Sequence, residues 1–252
     1  MVLEQFRLDG KVALVTGARR GLGLGIAAGL AQAGADIFGV GTGDMAPCRE
    51  AVESAGREFA SLKADLISQE PIEEVVQTCL DRFGHIDILI NNSGIIRRAD
   101  AIDFSEQDWD DVVNLNLKTI FFLSQRVAKD MIPRKSGKII NIASMLSYQG
   151  GIRVASYTAS KSGILGLTRI LANEWAKYNI NVNAIAPGYM ATDNNEVLRN
   201  DPVRSVEILA RIPAGRWGGA DDLAGAAVFL ASDASRYVHG FSLAVDGGWL
   251  AR

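Results

Sequence analysis

VALVTGARRGLGLGIAAGLAQA, residues 12–33, contains the turn from which the architecture is read. The stretch opens on an apolar, β-favouring run at 12–16 and passes through Thr16-Gly17-Ala18-Arg19-Arg20-Gly21-Leu22-Gly23. It then continues in helical spacing over 22–33. Glycines at 17, 21 and 23 permit a tight turn and bring backbone N–H groups against a pyrophosphate at a helix N-terminus. Read alone, the turn is equally the bare junction of a strand with a helix. A second match, Gly23-Leu24-Gly25-Ile26-Ala27-Ala28 to G-x-G-x-x-A, falls where the chain should already be helical and its N–H groups used, so it is set aside as coincidence.

The same alternation continues along the chain. Strands are expected at 12–16, 37–40, 59–63, 86–91, 138–143, 181–185 and 241–245, and amphipathic helices at 22–33, 45–57, 70–83, 105–132, 156–178 and 220–231. Runs such as Ile86-Asp87-Ile88-Leu89-Ile90 are nearly continuous in apolar residues, as a parallel sheet covered on both faces requires. The expected fold is therefore α/β, a doubly wound parallel sheet of about seven strands with helices on both faces. No linker or low-complexity stretch divides the 252 residues, and the 6 prolines are scattered, so 1–252 reads as one domain. Residues 188–218, with Pro202 and Pro213, fit neither template and are expected to form a lid over a site.

Composition narrows the function. Lys and Arg total 26 against 29 Asp and Glu, a net charge of −3 that offers no global field for nucleic acid or an anionic membrane, so any anionic ligand must be held locally. The longest charge-free runs, 21–35 and 178–192, have 15 residues each and are rich in Gly, Asn or Pro, short of the roughly 18 apolar residues of a membrane span. The opening MVLEQFRLDGK contains Glu4 and Asp9 and no apolar core, so a secretory signal is not expected. Cys48 and Cys79 lack C-x-x-C spacing and are expected as free thiols in a reducing cytoplasm. His85 and His239 are the only histidines, with no H-E-x-x-H, so no metal site is expected. G-x-S-x-G and G-x-x-x-x-G-K-[ST] are absent as well.

Tyr157 and Lys161 stand four residues apart in a segment of helical spacing and share a helix face. Of the 5 tyrosines, only this one has a lysine four residues on. A nearby ammonium favours phenolate, so the expectation is a tyrosine pKa drawn down from about 10 toward neutrality and a general base for an alcohol proton. The plain alternative is a surface tyrosine packed on a lysine stem. Ser144, thirteen residues earlier at the end of KIINIAS, favours the chemical reading, because open α/β sheets place ligands at that edge.

Together the motifs resemble the short-chain dehydrogenase/reductase family over essentially the whole chain. They are T-G-x-x-x-G-x-G at 16–23, N-N-S-G at 91–94, Asn116 in LNLK, Ser144, Y-x-x-x-K at 157–161, Pro187-Gly188 and Asp246-Gly247-Gly248. The resemblance implies a Rossmann-type fold, a nicotinamide cofactor and hydride transfer. It makes Tyr157 the acid/base, Lys161 the residue that lowers its pKa and binds the nicotinamide ribose, and Ser144 the donor that orients the substrate oxygen. Asn116 would hold a water in a relay to Lys161; read alone, it marks a kink or helix end. Cofactor contacts are implied for Gly17, Arg19, Arg20, Gly21, Leu22 and Gly23, and for Gly41 and Thr42 after the second strand. Further contacts are implied for Asp65 and Leu66, for Asn92, Ser93 and Gly94, and for Pro187, Gly188 and Thr192 beside Tyr157 and Lys161. Asp65 would meet the adenine ring; read alone, it is a helix cap ahead of 70–83.

The chain departs from the family's NAD pattern at the end of the second strand. An acid is expected there for the ribose 2′-hydroxyl, and Gly41 occupies the place. Arg19 and Arg20 could instead meet the 2′-phosphate of NADP. GIIRRADA, RIPAGRWG and AVDGGWLAR are closer to one branch, which acts on 2-dehydro-3-deoxy-D-gluconate at C5 and mostly favours NAD. Both cofactors therefore stay open. A sugar acid carries a carboxylate, for which Arg97, Arg98 and Arg153 are candidate clamps, and Gln149 could serve a hydroxyl. The alternatives are solvation for the arginines and a helix cap for Gln149. Other carbonyl reductases of the family, such as gluconate 5-dehydrogenases or acyl-thioester ketoreductases, and a dinucleotide-binding regulator without turnover remain as rivals. The family resemblance also implies a homotetramer built through 105–132, 156–178 and the last strand.

Overall fold

Every residue of the first strand, β1 (Val12–Thr16), is buried, and its side chains alternate between two cores. A computed structural model describes residues 1–252, the side chain of Asn194 excepted. The remaining strands are β2 (Asp36–Gly41), β3 (Phe59–Lys63), β4 (Ile88–Asn91), β5 (Gly137–Ile142), β6 (Ile180–Pro187) and β7 (Ser242–Val245). They form one parallel sheet in the order β3-β2-β1-β4-β5-β6-β7. The order reverses between β1 and β4, which opens a crevice at the carboxyl ends of these strands.

Helices cover both faces. Ala13, Val15, Ile88 and Ile90 pack with α1 (Gly21–Gln32), α2 (Ala46–Ser54) and α9 (Ala224–Ala231). Leu14, Leu89 and Ile139 pack on the other side with α3 (Ile72–Phe83), α5 (Thr119–Arg134) and α6 (Ala155–Trp175). The Gly25 of the discounted second motif lies inside α1, where a Cβ would come within 2.7 Å of Ala220. Its smallness serves helix packing.

Three expected elements differ. The 105–132 helix is divided by a π-turn at Asn114–Lys118 between α4 (Glu106–Val113) and α5. Asp65 does not cap the helix that follows, because its Oδ1 accepts from the Ile67 N–H (3.0 Å) while α3 starts only after Pro71. Residues 188–218 contain two short helices, α7 (Glu196–Asn200) and α8 (Arg204–Arg211), each shorter than the window over which helical periodicity can be read.

A buried polar ladder locks the helices to the sheet. Asn91 and Asn141 are register partners on β4 and β5, and Asn91 Nδ2 donates to Asn141 Oδ1 (2.8 Å) and to Ser124 Oγ on α5 (3.0 Å). Asn141 Nδ2 donates in turn to Thr168 Oγ1 on α6 (3.0 Å). Replacing Asn141 with Leu strands buried partners at both ends. Urea unfolding should show Asn141→Leu destabilised by about 1–3 kcal/mol, with exposed Glu74→Ala as an unchanged control.

Candidate active site

The crevice at the strand-order reversal is a cleft of about 1090 Å³. Its floor is stitched by Thr16, whose Oγ1 donates to the Ile90 carbonyl (3.3 Å) and accepts from the N–H groups of Asn92 (3.0 Å) and Ser93 (2.9 Å). Asn92 Nδ2 returns a bond to the Thr16 carbonyl (2.9 Å). Gly17 takes φ +66°, and a Cβ there would lie 2.8 Å from Asn92 Nδ2; at Gly23 a Cβ would lie 2.1 Å from the Gly17 carbonyl oxygen. Side chains at either position would therefore fill the cradle. No side chain caps the first turn of α1, so its N–H groups remain for a ligand, as a pyrophosphate requires. By donor set and shape, these residues fit a dinucleotide.

Every expected cofactor residue lines the cleft, from Gly17, Arg19, Arg20, Gly21, Leu22 and Gly23 through Gly41, Thr42, Asp65, Leu66, Asn92, Ser93 and Gly94 to Pro187, Gly188 and Thr192. The two loop arginines, paired in the sequence reading, diverge. Arg19 extends to the end of β2, where a Cβ on Gly43 would lie 2.8 Å from its Cδ. Arg20 has extended backbone at the N-cap of α1 and ion-pairs with Asp193 across the cleft.

Ser144, Tyr157 and Lys161 also line the cleft. Ser144 lies two residues past the end of β5 and caps a single 3-10 turn, Met145–Ser147, by accepting from the Leu146 N–H (3.1 Å). Ser147 Oγ donates to the Lys161 carbonyl (2.6 Å), which fastens that turn to α6. Lys161 is 4% exposed; its Nζ donates to the Ile142 carbonyl (2.6 Å) and lies 5.6 Å from the Tyr157 ring centroid. Burial lowers the Lys161 ammonium from 10.5 to about 8.

The expected depression of Tyr157 is not found. Burial pushes the phenol up, while a hydrogen bond with Ser144 and the charge of Arg98 act against it. The Lys161 ammonium is not among the groups that draw the phenol down, and it donates to the Ile142 carbonyl. Asn116 lies in the π-turn, fully buried, and does not line the cleft. Its Oδ1 accepts from the Ile95 N–H and its Nδ2 donates to the Ile95 carbonyl, both at 2.9 Å. It faces Lys161 across Gly94, where a Cβ would lie 3.2 Å from Asn116 Oδ1 and 3.8 Å from Lys161 Nζ.

Of the expected carboxylate clamps, Arg98 and Arg153 line the cleft with Gln149, and Arg153 has φ +64° and an ion pair to Asp100 (3.3 Å). Arg97 does not line the cleft, being drawn onto α4 by Asp108 (3.1 Å) and Asp111 (3.5 Å). Sequence reading passed over Tyr189, Arg204, Arg211 and Trp249, which complete the far wall. Their one local signal is Arg204, Ile208 and Arg211 at i, i+4 and i+7 in RSVEILAR. Both histidines sit at the opposite edge of the sheet, His85 on Asp87 (3.0 Å) and His239 on Asn181 (3.2 Å). Cys48 and Cys79 are buried, and burial pushes both thiols up to about 12.

Comparison with known proteins agrees with this geometry. Residues 17–250 match the family model described as enoyl-(acyl carrier protein) reductase. The chain is 62% identical over 253 residues to 2-dehydro-3-deoxy-D-gluconate 5-dehydrogenase of Escherichia coli, covering 100% of both chains. It is 53% identical to the Bacillus subtilis protein of the same name, over 99% of this chain and 98% of that one. A gluconate 5-dehydrogenase from Burkholderia cenocepacia, crystallised with NADP and tartrate, superposes with a TM-score of 0.94 at 40% identity over 100% of both chains. With the ordered motifs, the reversed parallel sheet and the Ser144-Tyr157-Lys161 cluster in one cleft, the chain belongs to the short-chain dehydrogenase/reductase family.

Proposed function

We propose that the protein is an NAD(P)-dependent oxidoreductase that interconverts a secondary alcohol and a ketone on a deoxy sugar acid, with 2-dehydro-3-deoxy-D-gluconate oxidised at C5 as the substrate. The observation that carries the reaction class is the convergence of Tyr157, Ser144 and the buried Lys161 beside a glycine cradle fitted to a dinucleotide. The substrate rests on the 62% identical E. coli relative. The B. cenocepacia structure favours a second reading, gluconate 5-dehydrogenation.

When bound, the cofactor supplies a two-electron hydride acceptor or donor at its nicotinamide. Gly17, Arg19, Arg20, Gly21, Leu22 and Gly23 would hold the pyrophosphate end, with Gly41, Thr42, Asp65 and Leu66 around the adenosine. Asn92, Ser93, Gly94, Pro187, Gly188 and Thr192 would flank the nicotinamide half. In oxidation, Tyr157 Oη takes the proton of the alcohol as the carbon–hydrogen bond gives up its electron pair; in reduction it returns that proton to the carbonyl oxygen. Ser144 Oγ donates to the same oxygen and stabilises its developing charge. Lys161 would bind the ribose and favour the phenolate as far as its own burial allows, and Asn116, across Gly94 from it, would hold a water of the proton relay. Burial raises the Tyr157 phenol and so favours its protonated form, the one that reduction needs. Arg19 beside the acid-free end of β2 supports NADP. The segment 188–218 supplies a wall of the cleft, the position that a lid requires.

We also place the protein in the cytoplasm as a tetramer. Its buried free cysteines support the first, and exposed Trp109, Phe122 and Ile170 on α4, α5 and α6 support the second; sedimentation velocity should read the mass of four chains, and the mass of one chain would contradict the tetramer.

The function is tested by nicotinamide absorbance with 2-dehydro-3-deoxy-D-gluconate or gluconate, with NAD and NADP run separately. Wild type should turn over the deoxy acid. Tyr157→Phe should lose at least about 100-fold in kcat while still binding cofactor, and Arg19→Ala should weaken NADP more than NAD. Cofactor binding without turnover of either acid contradicts the substrate assignment, and full activity in Tyr157→Phe contradicts the mechanism.

Lys161 makes a pH prediction. Its folded pKa of about 8 lies below the ordinary 10.5, so between these values the unfolded chain binds more protons and stability rises with pH. Lys161→Met should therefore melt above wild type near neutral pH. Scanning calorimetry should show this gap closing as pH rises through about 8 toward 10.5, and a gap independent of pH would contradict a buried, destabilised ammonium.

A further inference from the structure

The cleft is cationic although the chain is not. Among its described lining residues, seven arginine or lysine side chains face three carboxylates, against a net charge of −3 for the whole chain. Arg19 and Arg20 belong to the phosphate end, and the charge of Arg98 is felt by the Tyr157 phenol. The carboxylate of a sugar acid oxidised at C5 lies at the other end of the carbon chain, so it needs a cation away from the phenol.

That cation is on α8. Arg204, Ile208 and Arg211 share one face; Ile208 is buried against Met145, Ile212 and Trp249, and this contact turns both arginines toward the cleft. The Arg211 guanidinium carbon stands 4.0 Å from the centroid of the Trp249 ring, and Trp249 is only 4% exposed. Trp249 is fixed edge-on by Tyr189 (4.8 Å between centroids), and Tyr189 by Trp217 (5.3 Å). Stacking sets the plane of a guanidinium while leaving its in-plane N–H groups free to bind a carboxylate. Arg211 Nη2 reaches Gln149 Oε1 at 3.4 Å, and among the described residues no carboxylate pairs with it. Arg97 and Arg153 are each committed to aspartates, and Arg204 lies 3.9 Å from Glu207. Arg204 and Arg211 both draw down the Tyr189 phenol that burial raises, which places both charges around one point on the wall.

We propose that Arg211, held over the Trp249 ring and steadied by Gln149, binds the carboxylate of the substrate and so selects acids over neutral polyols, with Arg204 strengthening the field. This rests on the sugar-acid reading above and goes beyond it by assigning the acid-recognition residue to α8 rather than to the 97–98 or 153 loops. Trp249 is a positioning residue in this scheme.

The test compares D-gluconate with D-sorbitol, the same polyol with a hydroxymethyl group in place of the carboxylate. Calorimetric titration of the full chain saturated with reduced cofactor keeps oxidation from competing. Wild type should prefer gluconate, and Arg211→Ala should weaken gluconate by about 10–100-fold while leaving sorbitol unchanged. Arg211→Lys should restore part of the loss, and Trp249→Leu should weaken gluconate selectively. Unaltered gluconate binding in Arg211→Ala overturns the proposal, as does equal loss of both ligands or a wild type without preference. Turnover of 2-dehydro-3-deoxy-D-gluconate, run in parallel, separates the two claims. Selective gluconate binding without turnover overturns the reaction assignment and upholds the clamp, whereas turnover with an unchanged KM in Arg211→Ala overturns the clamp and leaves the reaction standing.

Discussion

The threonine hydroxyl at the end of β1 holds the site open. Thr16 Oγ1 bonds Ile90, Asn92 and Ser93 together, and Asn92 bonds back to the Thr16 carbonyl, so β1 and β4 stay joined where the strand order reverses. Connections leave these strands toward opposite faces of the sheet, and without the stitch the loops following them could part or collapse together. With it, Gly17 and Gly23 can approach Asn92 closely enough to exclude any side chain, and α1 points its uncapped first turn into the cleft. The neighbouring strands extend the same device. The Asn91–Asn141 ladder pins α5 and α6 to the sheet, and Ser147 ties the turn after Ser144 to Lys161.

Electrostatics then divides the cleft along its length. One end has arginines beside a helix N-terminus, the middle has a buried lysine and a phenol, and the far wall has the two α8 arginines, Arg211 over the Trp249 ring. Desolvation is the larger force on the central pair, since it lowers Lys161 and raises Tyr157 even though each would stabilise the other's charge. A catalytic ammonium held in this way costs stability that an apolar residue would not, a common compromise at active sites.

Much of this was legible in the sequence because parallel sheets impose it. Strands buried on both faces must be continuous apolar runs, and a phosphate cradle must have glycines where backbones meet, so Val12–Thr16 and 16–23 announced themselves. What was not legible depended on neighbours distant in sequence. Arg19 and Arg20 are adjacent, yet an extended N-cap conformation sends one to β2 and the other to Asp193. Arg97 follows the right strand but is taken by two aspartates on α4. The rise in the Tyr157 pKa reflects burial, which i, i+4 spacing does not reveal. Helix α8, at 8 residues, is too short for its periodicity to stand out, and its meaning depends on Trp249, thirty-eight positions beyond Arg211.

In the proposed reaction, carbon-bound hydrogen leaves C5 of the sugar acid with its electron pair while the hydroxyl proton goes to Tyr157. Mass spectrometry of the nicotinamide formed from 2-dehydro-3-deoxy-D-gluconate deuterated at C5 tests this most directly. Deuterium retained in the reduced cofactor, with a slowed chemical step, is the predicted result. Deuterium released to water with none in the cofactor would contradict hydride transfer and replace it with proton abstraction.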